Sequence, residues 1–350
     1  MTLMPLKLDT LPTRRDEHWK WTDVRGRVTD GQKGLSVSGL PKFTLPDGVS
    51  VSESAVDEDD TNSPMAALAR RFGGQVWTVD VPEGAAPQEP IVIEGFERGH
   101  VRIRLNIGKG AVVSVVEHYA AEDGAFCNAD ITINLGKGAE LSRVQMQTDP
   151  ADAVRVATTH VTAWGKAKLT QHMLGFGASL ARFESRIAVM GTHCELTANG
   201  AYLLDDKRHI DLTSYIDLTT PDTLVRQAVK GVVTDKSRGV FQGKFHVRRP
   251  AQHTDAEMRH DALMLSDTAE IRSKPELEIY ADDVACAHGN TIGALDESAL
   301  FYMRQRGIPL KQARALLTEA FVAEAFDDLA DEDLRESLLE KVRYWLETSQ

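Results

Sequence analysis

Asn106-Ile107-Gly108-Lys109-Gly110-Ala111-Val112-Val113 is answered by Asn134-Leu135-Gly136-Lys137-Gly138-Ala139-Glu140-Leu141, with the leading glycines 28 residues apart. Weaker copies follow at Trp164-Gly165-Lys166-Ala167-Lys168-Leu169 and Met190-Gly191-Thr192-His193-Cys194-Glu195-Leu196, after glycine steps of 29 and 26 residues. A period in the twenties, with strand signals and no helix between copies, suits a parallel β-helix in which each turn stacks on the last and all share one core. The glycines would then fix the corners. Gly-Lys-Gly-Ala is equally good hairpin chemistry, so a β-sandwich of repeated hairpins stands as the rival.

Outward from the repeats, a period of two extends over residues 75–293. Val101, Ile103, Leu105 and Ile107 alternate with Arg102, Arg104 and Asn106. Ile210, Leu212, Ile216 and Leu218 alternate with Asp211, Thr213, Tyr215 and Asp217, and Phe241, Phe245 and Val247 with Gln242, Lys244, His246 and Arg248. Alternation of this kind marks strands with one buried face. The expected class is mainly β, flanked by a helical, partly irregular region over 1–74 and a helical domain over 294–350.

The first flank ends in one well-punctuated helix, Pro64 to Phe72. Ser63 can cap it, Pro64 suits its first turn, Met65, Leu68, Ala69 and Phe72 share a face, and Gly73 can take a left-handed closing position. Before it, Val56 to Asn62 is acidic, and lacks the alternating spacing of a calcium loop, so it reads as a solvated loop. In the second flank Asp296 caps a helix through Leu300 and Met303, Gly307 closes it and Pro309 opens the next. Apolar stripes follow at Ala313, Leu316, Leu317, Ala320, Phe321 and Phe326, then at Leu334, Leu338, Leu339, Val342, Trp345 and Leu346. Such stripes either pack as core or present a docking face.

The 350 residues are 42% hydrophobic and 26% charged, the balance of an ordinary globular protein. A formal net charge of −12 repels polyphosphate and anionic lipid, which disfavours nucleic acid and membrane as partners. No apolar run approaches a membrane span; Ala111 to Val116 ends at once in Glu117-His118. Arg14-Arg15-Asp16-Glu17-His18 stands where a secretory signal would be apolar, so a cytoplasmic location is expected. Cys127, Cys194 and Cys286 are odd in number and far apart, which fits neither a disulfide framework nor a zinc knuckle.

Catalytic motifs are few. Gly108-Lys109-Gly110 runs into Ala and forms no phosphate loop, so the chain is not expected to hydrolyse ATP, and neither a Gly-x-Ser-x-Gly elbow nor a His-Glu-x-x-His pair occurs. Glu257-x-x-His260 has a metal-helix spacing but stands alone in a strand-rich region and reads as surface polar chemistry. The most informative stretch is Cys286-Ala287-His288-Gly289-Asn290. On a strand Cys286 and His288 share a face and offer a thiol and an imidazole, ligands for iron or zinc that would need completing by a partner chain. A structural cysteine beside a turn histidine is the competing reading.

Several segments resemble the SufD family, a subunit of the SUF iron–sulfur cluster assembly scaffold. They are Lys274 to Val284, Cys286-Ala287-His288-Gly289, Leu300-Phe301-Tyr302-Met303-Arg304-Gln305-Arg306-Gly307-Ile308, Asp235 to Lys244, Gln252 to Asp255, and Arg14 to Asp23. The resemblance implies a right-handed parallel β-helix between helical regions, matching the order read from periodicity. It further implies a non-catalytic scaffold that pairs with the paralogue SufB through β-helices and docks the ATPase SufC through its C-terminal helices. A transient iron–sulfur cluster would form near the SufB interface, with His288 the matching functional histidine and metal ligand and Cys286 its neighbour. A homodimer and a flavin are neither required nor excluded. Asn290, Met258, Arg259 and His260 depart from the family pattern. A SufB-like paralogue is the alternative within the family, although SufB-like chains are longer and richer in cysteine. Outside it stand a β-helix carbohydrate-active enzyme, which would carry a groove of clustered carboxylates, and a purely structural β-helix.

Overall fold

The computed structural model describes residues 6–54 and 63–349, so the acidic Val56 to Asn62 stretch lies outside the described residues. From Val76 to Gly293 the chain alternates between two nine-stranded sheets, and each strand pairs with the strand two places along. Those ladders are parallel, for example Phe126–Leu135 on Val154–Ala163 and Glu140–Gln147 on Lys168–Gly175. Consecutive hairpins would give antiparallel neighbours, so the sandwich is excluded. The fold is a parallel β-solenoid of about eight turns with helices near the termini.

The quoted repeats lie directly over one another. Asn106 pairs with Asn134, whose side-chain amide donates to Asn106 Oδ1 at 2.9 Å. Gly138 adopts φ 68°, and a Cβ on Gly136 would stand 2.7 Å from the Lys109 nitrogen. One glycine thus permits a left-handed corner and the other a close approach of two coils. In the weaker copies the ladder pairs Glu140 with Lys168 and Lys168 with Glu195. These are steps of 28 and 27, not the 29 and 26 obtained by aligning glycines, because Trp164 takes the corner held by Gly136, its N–H donating to Leu135 O.

Leu105, Ile133, Val161, Ile187, Ile216 and Phe245 stack in register as one fully buried inner row. The inner face is not purely apolar, however. Arg143, Arg155 and Arg182 are the largest fully buried side chains among the described residues. Arg143 points inward and donates to Glu117 of the preceding coil at 2.7 and 2.9 Å, to Gln171 of the following coil at 2.9 Å, and to Thr159 across the core at 3.0 Å. Burial opposes its charge, but Glu117 raises its pKa above the ordinary guanidinium value.

Helix α1 is Pro64–Phe72, and Ser63 accepts from Ala66 N at its start. Gly73 remains right-handed (φ −73°); Gly74 takes the left-handed position instead, at φ 70°. The N-terminal segment also contains short 3-10 turns and two strands, Lys42–Thr44 and Ser50–Ser54, which add antiparallel to Ile91–Glu94 and Val76–Val81. They cover the first turn of the solenoid.

Helices α2 (Glu297–Gln305), α3 (Leu310–Ala323) and α4 (Glu332–Thr348) follow the last strand. Phe326, Leu329, Leu338, Val342, Trp345 and Leu346 pack on Val144, Leu174, Ala201, Leu203 and Val232, the outer face of the second sheet. Phe326 is fully buried, so the core reading applies to it and not the docking reading. Phe326→Ala is expected to cost about 3–5 kcal/mol through lost burial and a residual cavity. Denaturant unfolding of the purified chain measures this, and a loss below about 1 kcal/mol would contradict the packing.

Candidate functional site

One end of the solenoid is covered and the other is bare. Among the described residues the last strand of the second sheet, Ala285–Gly293, pairs only with Asp255–Met264, and the last strand of the first, Glu270–Ile279, pairs only with Arg238–Val247. Each therefore presents a row of backbone groups with no strand partner. Pro275 lies in the middle of Glu270–Ile279, a placement tolerated on an edge strand because proline lacks an N–H.

Cys286 and His288 both lie on this last coil. Cys286 stacks over Ala256 and His288 over Met258, and since Ala256 and Met258 face the core, the two site residues share the inner face. They stand roughly 6.6 Å apart along the strand. Cys286 is half-buried and packs against the end of the core, while His288 is exposed. Cys127 and Cys194 are buried, so Cys286 is the accessible thiol. Burial pushes the Cys286 thiol above its usual range, a backbone bond to Ala256 opposing, so near neutral pH it stays protonated until a metal or cation draws the proton off. Among the described residues no three His, Cys, Asp or Glu side chains surround one point. An ion held by Cys286 and His288 would thus need ligands from outside this chain.

Behind them lies a polar relay that the sequence reading did not identify. His260 is buried, not a surface group, with Nδ1 2.9 Å from Asn290 Oδ1 and Nε2 2.9 Å from Tyr202 Oη. Burial lowers its pKa to about 4, with Asn290 and Asp261 opposing, so the ring is neutral at ordinary pH. It stacks on Phe241 at 4.9 Å. Glu257 and His260, three apart, point to opposite faces of their strand and form no metal pair. His260 and Asn290 are two of the departures from the family pattern, and they bond each other across one coil. Their separation of 30 residues, close to the repeat, was the available signal.

The family model for the SUF system FeS cluster assembly SufBD core domain matches residues 94–321. The iron–sulfur cluster assembly protein SufD of Escherichia coli is 27% identical over 95% of this chain and 88% of its own length. An iron–sulfur cluster assembly SufBD family protein of Synechocystis is 30% identical, covering 91% of this chain and 84% of the relative. The chloroplastic protein ABCI7 of Arabidopsis thaliana is 27% identical over 85% of this chain and 69% of its own. No helix among the described residues is long and apolar enough to cross a membrane.

Proposed function

The chain belongs to the SufBD core family of the SUF iron–sulfur cluster assembly system, and from that premise we propose that it is a SufD-like scaffold subunit that pairs with a SufB-like paralogue across the bare end of the solenoid. The observation that carries this reading is the contrast between the two ends. The first turn is covered by added strands, whereas the last exposes two long edges and the half-finished core around Cys286 and His288. Solenoids need a polar cap or a neighbour at each end. A second β-helix stacking there would continue the core and place its own side chains opposite His288. A nascent cluster, the cargo of the system, would then be held between the two chains with His288 as ligand or proton-handling group and Cys286 beside it.

A SufC-like ATPase is assigned to the C-terminal helices, in an arrangement narrower than the stripes suggest. With Phe326 buried, the exposed large apolar groups of these helices are Phe301 and Tyr302 on α2, Leu310 and Leu316 on α3, and Tyr344 on α4. The test is co-expression of the full chain with SufB-like and SufC-like chains, followed by isolation and iron and sulfide analysis. A three-component complex carrying iron and sulfide is expected. Phe301→Asp should release the ATPase while leaving the SufB-like partner bound, since Phe301 is 64% exposed and contributes little to this chain's own core. Full retention of the ATPase by Phe301→Asp would move the docking face elsewhere, and a chain that binds neither partner would sink the scaffold reading.

A further inference from the structure

Three polar side chains, not two, lie on the inner face of the last coil. In the ladder between Asp255–Met264 and Ala285–Gly293, Cys286 stands over Ala256, His288 over Met258 and Asn290 over His260. Ala256, Met258 and His260 are all buried, so Asn290 faces the same way as the thiol and the imidazole, roughly 6.6 Å beyond His288 along the strand.

We propose that Asn290 is a further residue of this site, its side-chain amide donating a hydrogen bond through Nδ2 to a sulfide of the nascent cluster. The inference rests on the reading that the cluster forms at His288, and adds to it the direction of the amide. His260 Nδ1 lies 2.9 Å from Asn290 Oδ1, and His260 Nε2 lies 2.9 Å from Tyr202 Oη. A carboxamide oxygen only accepts, so Nδ1 carries the proton of the neutral ring, Nε2 accepts, and the Tyr202 hydroxyl donates. The relay thereby ties Asn290 down by its oxygen. Both N–H groups of Nδ2 are left over, and among the described residues nothing accepts from them. Asn290 is exposed at the open end, and a Cβ added at the adjoining Gly289 would meet nothing within 4 Å, so the coil has room for a group from outside the chain.

The relay is also stiff. Tyr202 and His260 are fully buried, and the His260 ring stacks on Tyr202 and on Phe241 with centroids 6.0 and 4.9 Å apart. Gly231 and Gly239 make room for the Tyr202 ring, since a Cβ on either would stand 2.3 or 2.5 Å from its atoms. The amide is therefore held in place before any cluster arrives, at little further cost in ordering. A donor aimed at sulfide stabilises negative charge that grows on reduction, which raises the reduction potential of the cluster.

Two measurements test this. Nitrogen NMR of the isolated chain should find the proton of His260 on Nδ1. A proton on Nε2 would mean that the amide is turned round, with Nδ2 spent on the ring, and overturns the proposal. In the complex with SufB-like and SufC-like partners, clusters on Asn290→Ala should be lost to a chelator faster by about threefold or more, and be reduced at a more negative potential, than those on the wild type. A wild-type lifetime and potential in Asn290→Ala overturn this inference alone, whereas normal clusters in His288→Ala overturn the reading on which it rests.

Discussion

Arg143→Met is expected to lower the stability of the chain by about 3–5 kcal/mol, because it leaves the Glu117 carboxylate in the interior without its cation. Both side chains are fully buried, and the guanidinium holds Glu117 in a two-pronged pair while also bonding Gln171 and Thr159. Gln145 and Tyr119 donate to the same carboxylate, so one lost charge disturbs three coils. Replacing both partners, Glu117→Leu with Arg143→Met, should recover much of the loss, since apolar groups of similar volume remove the uncompensated charge together with the pair. Denaturant midpoints of the wild type, the single and the double variants measure this. A single variant within about 1 kcal/mol of wild type would mean that water reaches the pair, and a double variant no better than the single would mean that Gln145, Gln171 and Tyr119 depend on it.

This interior pair also marks where the sequence stops being legible. Spacing of Gly108 and Gly136, with looser later copies, points to stacked coils, because a corner that must turn left-handed or admit a neighbouring backbone favours glycine, although the interval drifts where Trp164 takes the corner. It could not reveal Arg143 or Glu117 as inward-facing, since a period of two assigns charged residues to the solvent side. Only the coil-to-coil register shows that each charge meets its complement 26 residues away. His260 reads as surface chemistry for a different reason, that Glu257-x-x-His260 stands alone in a strand-rich region, and its partner Asn290 is likewise one coil distant. For the C-terminal stripes, periodicity identified the apolar faces but not what covers them. Phe326 and Phe301 look alike in sequence, yet one is sealed against the second sheet and the other is exposed. Cys286 and His288 could be placed on one face from spacing alone, whereas the bareness of that face follows from Ala285–Gly293 being the last strand of its sheet.

That bareness gives the role proposed for His288 its clearest consequence. His288→Ala should change the stability of the isolated chain by less than about 1 kcal/mol, because an exposed side chain on the terminal coil makes little packing contribution. In the complex with its SufB-like and SufC-like partners, iron and sulfide content should nevertheless fall by about tenfold or more, the loss of a ligand or of the group that handles its proton. Cys286→Ser separates this from a general effect of altering the last coil. Cys286 is half-buried at an open end, so a serine hydroxyl there can still reach water and should cost no more than about 1 kcal/mol in the isolated chain, below the ~1–3 kcal/mol of a hydroxyl buried without a partner. Cluster content in Cys286→Ser should fall less than in His288→Ala if the thiol is only packed beside the site. If it falls equally, thiol and imidazole act together as ligands. Melting curves of both variants belong beside the metal analysis. A His288→Ala complex with normal iron and sulfide, or one that loses them only because the chain has unfolded, would reduce His288 to an exposed polar group on a solenoid edge.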